Sequence, residues 1–286
     1  GLFEFYELYK ILLKVYHEHR DYFYEWSDIG SIYGSPSDCL WAGGRVENGD
    51  ADPKDVISLL RQYGVSPRLT LSNSILKEEH LDDKKCNELC GLFEASGNSG
   101  AIVYSDLLVE RLRRAYPGLY LVSSTTKVIT DFEEFVKEVD KEEFSYVVPD
   151  FRLNKNINQL NSLSQTQKDK VEFLINECCY VGCSDRAKCY RSVSNLNLGV
   201  DDGHRCHAPE SQFGYRFSKA KENPMFIGVD DIKNIYLPMG FSNFKIEGRG
   251  LGSALVLEMI LYYMVKPEYQ INVREEVYLD NTLDLF

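Results

Sequence analysis

The sequence of 286 residues contains no apolar run that approaches the ~20 residues needed to span a bilayer. It also contains no Asn-x-Ser/Thr sequon, and its charged, amphipathic first residues do not resemble a secretory signal peptide. None of its eight cysteines forms a C-x2-C pair, and a chain of this length needs no disulfide staples. We therefore expect a cytoplasmic protein without membrane contacts, whose thiols are free or bound to a metal.

Positive charge is scarce, with 32 Lys and Arg against 44 Asp and Glu, so the net charge is −12. Such a balance disfavours broad binding to a phosphate backbone, and we expect no nucleic-acid partner. The 44% of hydrophobic and 27% of charged residues are typical of a globular protein. Length and composition together predict a single domain over residues 1–286.

Seven short runs of β-branched and apolar residues are typical of buried strands. They cover residues 28–33, 68–72, 100–105, 120–124, 146–150, 171–176 and 243–247. Helical periodicity precedes the first run and follows most of the others. These predicted helices cover residues 2–24, 53–63, 82–95, 106–116, 131–139 and 253–265. The alternation favours parallel strands joined by crossover helices.

Seven strands behind a leading helix predict an α/β fold of the TIM-like (β/α)8 barrel type that lacks its first strand. An open, doubly wound sheet is the alternative, but no Gly-x-Gly-x-x-Gly turn follows any predicted strand. Residues 190–223 are rich in Ser, Asn, Gly, Asp and His and lack periodicity. A loop of that length predicts a functional insertion in the barrel.

Cysteines are concentrated at the predicted carboxyl end of the sixth strand, where (β/α)8 enzymes place their chemistry. An iron–sulfur cluster needs four thiolates without a strict universal spacing. The predicted ligands of a [4Fe–4S] cluster are Cys179, Cys183, Cys189 and Cys206, with Cys178 or Cys39 in reserve. Because neighbouring strand residues point to opposite faces, we expect Cys178 and Cys179 not to reach one cluster together unless the strand ends between them.

Zinc is the alternative metal, because His204 and His207 flank Cys206. A group of buried free thiols without a metal is the plainer interpretation, since unpaired cysteine is among the most buried residue types. Cys86 and Cys90 lie four residues apart on a predicted helix, and core packing is the favoured interpretation for them.

A second motif places three charged residues, Lys245, Glu247 and Arg249, at alternate positions at the end of the last predicted strand. Period two places them on one side, where buried charges must pair with each other or meet a charged ligand. A structural ion network is the competing interpretation. Predicted catalytic residues are Lys245, Glu247, Arg249 and Asp150, and predicted cofactor contacts are Asn176 and Arg45.

The run Lys245-Ile-Glu-Gly-Arg249 resembles the KIEGR segment of the collagenase-like peptidases, a family that includes ubiquinone-biosynthesis and tRNA and rRNA hydroxylation proteins. Weaker matches follow in the family's order at residues 28–34, 101–106, 116–125, 146–149 and 172–179. The resemblance implies a TIM-like barrel and, as in several members, a [4Fe–4S] cluster that supports oxygen-independent hydroxylation. The cysteine spacing departs from the family's pattern.

We therefore expect an iron–sulfur-dependent enzyme similar to the hydroxylase branch of that family, acting on an unknown substrate. One alternative is a non-catalytic partner or binding subunit with a structural metal, zinc or iron–sulfur, that supports a protein of the same family. A peptidase is the third interpretation, although no nucleophile and base stand in a recognisable motif.

Overall fold

The computed structural model describes residues 1–43, 49, 51–209, 211, 214–248 and 252–277. Two predicted site residues, Arg45 and Arg249, lie outside the described residues. Within the described ranges, no helix is both long and apolar enough to cross a membrane.

The chain folds as an α/β protein whose strands alternate with helices. The strands are β1 (Ser31–Gly34), β2 (Ser66–Leu71), β3 (Gly100–Val103), β4 (Tyr120–Ser123), β5 (Phe144–Val147), β6 (Glu172–Leu174) and β7 (Asn243–Lys245). The helices are α1 (Tyr6–Glu18), α2 (Pro53–Gln62), α3 (Lys84–Ser96), α4 (Asp106–Ala115), α5 (Phe132–Val139), α6 (Ile157–Asn161), α7 (Gln165–Lys170), α8 (Arg186–Asn197), α9 (Phe217–Glu222), α10 (Val229–Asp231), α11 (Ser253–Met264) and α12 (Gln270–Val277).

Parallel pairing joins the strands in their chain order. Strands β1 to β5 form one five-stranded parallel sheet, and β6 pairs with β7 in a second sheet. An isolated parallel bridge connects Val147, the last residue of β5, with Val171, just before β6. The predicted α/β class is confirmed, whereas closure of a barrel stays a prediction.

The chain divides into two compact units, and a single domain stays a prediction. Unit 1 comprises Gly1–Ser37, Val46–Arg68 and Gly248–Phe286, and unit 2 comprises Asp38–Arg45 and Leu69–Glu247. In unit 1, α1 buries Leu8, Leu12 and Val15 on one face, as its helical periodicity predicts. An antiparallel bridge between Phe23 and Val265 ties the end of the α1 region to the end of α11.

The core of unit 2 includes a group of aromatic rings around β6. The ring of Phe173 lies edge-on against Tyr236 and Phe241, with 5.0 Å between centroids in both pairs. Such edge-to-face pairs add stabilisation beyond the area that they bury. Phe244 of β7 stacks on the same Phe173 ring at 6.2 Å, so the aromatic group packs against both strands.

Two differences from the sequence prediction in unit 2 bear on the site. The stretch predicted to be irregular, residues 190–223, is partly helical, because α8 runs to Asn197 and α9 lies within it. The buried residues of α8 are Arg186, Ser192 and Ser194, which are all polar, so hydrophobic periodicity carries no signal for this helix. Strand β6 ends at Leu174, two residues earlier than predicted.

Candidate functional site

Beyond the ends of β6 and β7, the side chain of Asn176 makes the hydrogen bonds that backbone groups make within the strand pair. The parallel register pairs Leu174 with Lys245, and continuing it brings Asn176 opposite Glu247. There the amide of Asn176 accepts from the backbone N–H of Glu247 at 2.8 Å and donates to its carbonyl at 2.9 Å. Asn176 is fully buried, and the hydroxyl of Tyr215 donates to its carbonyl at 3.0 Å. These contacts give Asn176 a structural role in joining the two segments. Its predicted contact with a cofactor stays a prediction.

Four charges of alternating sign lie beyond the ends of β5 and β6, and three of them, Asp150, Glu177 and Arg186, are buried. Arg186, 4% exposed, donates from Nη2 to Glu177 Oε2 at 2.6 Å. Its Nε lies 3.3 Å from Asp150 Oδ2, as an ion pair without hydrogen-bond geometry. Arg152 donates from Nε and Nη2 to the two oxygens of Asp150 at 2.6 and 3.1 Å. Two carboxylates thus face two guanidinium groups, which we call the four-charge network.

The segment that carries Cys178 and Cys179 is fixed to this network through its backbone. Glu177 Oε1 accepts from the N–H groups of Cys178 and Cys179 at 3.0 and 2.9 Å. The side chain of Asn223 donates to the carbonyls of Glu177 and Cys179, both at 3.1 Å. Arg152 donates from Nη1 to the carbonyl of Cys183 at 3.1 Å. Three polar side chains therefore hold the segment that carries Cys178, Cys179 and Cys183.

The thiol of Cys179 lies beside Arg186. Burial raises the pKa of Cys179 to about 11, and the charge and hydrogen bond of Arg186 oppose that rise. The thiol therefore keeps its proton at neutral pH, and a metal that binds its thiolate would have to displace that proton. The nearby guanidinium reduces the cost of the resulting negative charge.

The four predicted metal ligands lie on one segment of unit 2 but do not converge. Cys183 is near enough to Cys179 to contribute to the rise of its pKa. The sulfur of Cys189 lies 3.1 Å from Nε2 of His204, and Cys206 is exposed. Among the described residues, no three His, Cys, Asp or Glu side chains are grouped to hold a metal ion. The [4Fe–4S] cluster, like its zinc alternative, therefore stays a prediction.

Three other cysteines lie in the core of unit 2. Cys86 and Cys90 are fully buried, as predicted, and Cys39 is 3% exposed. The sulfurs of Cys39 and Cys86 lie 3.5 Å apart. The contact with Cys39 and burial raise the pKa of Cys86 far above its usual range, and burial does the same for Cys90. Cys39 thus packs with the core thiols rather than with residues 178–206.

The predicted catalytic charges are divided between different surroundings. Lys245 is buried and its Nζ donates to Glu172 Oε1 at 3.1 Å, across the β6–β7 pair. Asp150 belongs to the four-charge network, and Glu247 lies against Asn176 through its backbone. The Lys245–Glu172 pair is what the competing interpretation, a structural ion network, predicts. Catalytic roles for these residues stay predictions.

Sequence reasoning missed two members of this region. The sequence analysis assigned no role to Arg186, yet it contacts both buried carboxylates. His204 was considered with Cys206, but its ring contacts Cys189. The position of Arg186, directly after Asp185, carries no periodic signal in the sequence. The contacts of Arg186 and of His204 could therefore be found only from the fold.

Comparison with known proteins adds little. No family model matches the sequence, and no curated protein matches it. A solved structure, that of the U32 (collagenase-like) peptidase Mk0906, is similar with a TM-score of 0.48 and 14% sequence identity, over 76% of this chain and 83% of that chain. A likeness of this size assigns neither a family nor an activity to the chain.

Proposed function

We propose that this chain is an iron–sulfur-dependent enzyme similar to the oxygen-independent hydroxylases of the collagenase-like peptidase family, with its site beyond the carboxyl ends of β5 to β7. The observation that carries the proposal is the position of Cys179, which is partly buried and lies beside the Arg186 guanidinium of the four-charge network. Ligand thiols must lose their protons, and a fixed guanidinium favours the thiolate. A [4Fe–4S] cluster would supply one-electron redox chemistry.

The distribution of thiols supports a metal centre in this segment. Every cysteine from Cys178 to Cys206 is a free thiol with at least part of its surface exposed, whereas Cys39, Cys86 and Cys90 are buried in the core. The cysteine side chains do not form a four-thiolate site in this arrangement, because no three metal-binding side chains are grouped among the described residues. The chain's own contribution would be to hold Cys179 and Cys183 through Arg152, Glu177 and Arg186.

The test is anaerobic purification followed by an absorption spectrum and by iron, sulfide and zinc analysis. We expect iron and sulfide in the unaltered chain, and their loss in Cys179→Ser. Cys90→Ala is the matched control, because it removes a thiol from the same unit that lies in the core. Full iron content in Cys179→Ser, or iron loss in Cys90→Ala alone, would refute the proposed site.

A non-catalytic binding subunit with a structural metal is the second candidate, and one observation favours it. The buried charges are neutralised within the chain, because Lys245 pairs with Glu172 and both arginines of the four-charge network contact carboxylates. A catalytic site usually keeps a group available for its substrate. Anaerobic reduction and reoxidation of the purified chain would separate the two, because a structural zinc centre undergoes no redox change.

We also propose that the strands follow one another in a (β/α)8-type arrangement. Within unit 2, β3, β4 and β5 are parallel neighbours, the bridge from Val147 to Val171 leads to β6, and β6 is parallel to β7. Consecutive parallel neighbours are the order that such a barrel requires. An experimental structure in which β7 neighbours a strand other than β6 and the barrel's first strands would contradict the arrangement.

A further inference from the structure

Two cysteines from distant parts of the sequence are in contact in the core of unit 2. The sulfur atoms of Cys39 and Cys86 lie 3.5 Å apart, although the two residues are separated by 47 positions in the chain. Cys39 is 3% exposed and Cys86 is fully buried, and both are free thiols. Such a pair has two chemical states, because neighbouring thiols can be joined by oxidation.

Separate elements hold the two thiols at this distance. Cys86 lies in the first turn of α3, where its backbone N–H donates to the N-cap residue Asp83 at 2.8 Å. Cys39 lies in the segment that follows β1 in the chain. In that segment, the carbonyl of Trp41 accepts from the N–H of Asn73, just beyond β2, at 3.0 Å. The sulfur contact therefore follows from the tertiary structure and not from a local turn.

We propose that Cys39 and Cys86 are a redox-sensitive modification site that closes to a reversible disulfide. The sulfurs of a disulfide are about 2.05 Å apart, so the observed separation must shorten by about 1.5 Å. If both side chains rotate, each sulfur moves by less than about 1 Å. The disulfide is uncharged, so burial does not oppose it in the way that burial opposes a thiolate.

The oxidant is a small disulfide, the chemical class of oxidised glutathione. The thiolate of Cys39 attacks one sulfur of the reagent, a mixed disulfide forms, and the first reagent thiol leaves with the proton that Cys39 has lost. The sulfur of Cys86 then attacks the sulfur of Cys39, and its proton goes to the second reagent thiol as that thiol leaves. The two cysteines thus lose two electrons and two protons, and the reagent becomes two thiols. Cys39 reacts first because it lies outside a helix and is the less buried of the two.

Oxidation would tie the segment around Cys39 to α3. A covalent link restricts the unfolded chain more when it closes a long loop, so we expect the oxidised form of unit 2 to resist unfolding better. The linked segment also contacts other parts of the unit, because Asn73 Nδ2 donates to the carbonyl of Leu40 at 3.1 Å and Asn197, at the end of α8, donates to that of Ala42. Disulfides of proteins in reducing compartments are mostly transient and redox-sensing, which agrees with a reversible link.

This inference goes beyond the proposed function and does not depend on it. It assigns Cys39, a reserve ligand of the predicted cluster, to Cys86, and it leaves the cysteines from Cys178 to Cys206 for a metal centre. Cys90 provides a matched control, because it lies one helical turn beyond Cys86 on α3 and is also fully buried.

The test incubates the full-length chain anaerobically with a series of ratios of reduced to oxidised glutathione, quenches with acid, alkylates the free thiols and maps disulfides by mass spectrometry. The urea-unfolded chain is refolded in the same buffers, so that burial of the thiols does not limit the reaction. We expect a linked Cys39–Cys86 peptide whose fraction falls as the share of reduced glutathione rises. The urea midpoint of the oxidised chain should be about 1 M higher than that of the reduced chain.

Variants show whether the midpoint rise belongs to this pair. In Cys39→Ala and in Cys86→Ala the difference between oxidised and reduced chain should disappear, whereas Cys90→Ala should keep it, and far-UV circular dichroism shows that each variant is folded. Disulfide mapping of the unaltered chain decides the question even where a variant does not fold. The inference is overturned if Cys39 and Cys86 are not linked at any ratio, if Cys39 is linked to Cys90 instead, or if the midpoint rise persists without either thiol. Iron and sulfide are measured on untreated protein, so the proposed function is tested separately.

Discussion

Replacement of Arg186 by Met is the sharpest test of how unit 2 is held together. Methionine keeps much of the length and apolar contact of the arginine stem but removes the guanidinium. Glu177 Oε2 then loses its 2.6 Å hydrogen bond, and Asp150 loses one of its two cations. The guanidinium also lies 4.8 Å above the ring of Phe151, a cation–π contact that disappears as well.

The expected loss is large because the partner left behind is buried. Glu177 is 5% exposed, and removing one member of a buried ion pair costs about 3–5 kcal/mol. Typical proteins have a free energy of unfolding of about 5–15 kcal/mol, so this loss is a substantial fraction of the total. With a slope of about 3 kcal/mol per M urea, the unfolding midpoint should fall by about 1–2 M.

Tryptophan fluorescence can report on unit 2 alone. Trp41 is fully buried in unit 2 and donates to the carbonyl of His80 at 2.7 Å, whereas Trp26 belongs to unit 1. Urea unfolding is therefore followed in a Trp26→Phe background, in which Trp41 is the single reporter. Arg152→Met is the matched control, because Arg152 is 21% exposed at its side chain and its loss leaves Asp150 paired with a second arginine.

The double variant Arg186→Met/Glu177→Gln completes a cycle. Removing the stranded charge should recover part of the loss, with a coupling energy of about 0.5–3 kcal/mol. The reasoning is refuted if Arg186→Met lowers the midpoint no more than Arg152→Met and the cycle shows no coupling.

Three further outcomes follow from the described contacts. Burial alone would raise the pKa of Glu138, but hydrogen bonds led by that from Lys127 lower it on balance. The ionised Glu138 therefore stabilises the folded protein above the unfolded pKa of about 4.3, and this stabilisation is lost as the pH falls through the folded pKa. Glu138→Gln should therefore lower the urea midpoint at pH 7 and have little effect in strong acid; an equal effect at both would contradict this. In metal-free protein, mass-mapped alkylation should label exposed Cys206 first and the core thiols last; early core labelling would contradict the assigned burial. A Cβ on Gly43 would overlap the carbonyl group of Ser72, so Gly43→Ala should destabilise unit 2 by about 1–3 kcal/mol. An unchanged urea midpoint would argue against this packing.

The strands were predictable as elements because each is a short run rich in β-branched and apolar residues, although their ends were not. The run Gly100–Val103 is buried at all four positions, and a strand buried on both faces loses alternation but keeps its apolar character. The helix from Pro53 was equally clear, since Asp52 accepts from the N–H of Lys54 and proline stands in the first turn. At β3 and at the start of α2, the local sequence favours the same structure that tertiary packing requires, so the local sequence pattern predicts both elements.

The sequence named several residues that lie in one unit but did not predict their pairings, and their role as a site stays a prediction. The rule that chemistry lies beyond the carboxyl ends of parallel strands led to Asp150, Asn176 and Cys179, and the structure places them within one unit. The contacts of Arg186 with two carboxylates depend on a helix that buries polar residues, which no hydrophobic pattern signals. The alternation of Lys245, Glu247 and Arg249 predicted a common side. Strand β7 ends at Lys245, so strand alternation does not define the direction of Glu247, and Arg249 lies outside the described residues.

The end of β6 also decides how Cys178 can be tested. The sequence predicted that one of Cys178 and Cys179 is inert, because successive strand residues point to opposite faces. The strand has already ended at Leu174, and the carboxylate of Glu177 binds both cysteine N–H groups, so their side-chain directions follow this turn rather than a pleat. We therefore expect Cys178→Ser and Cys179→Ser each to lower the iron content of anaerobic preparations, with Cys90→Ala unchanged. Full iron in Cys178→Ser together with iron loss in Cys189→Ser would contradict this expectation and keep Cys189 as the fourth ligand.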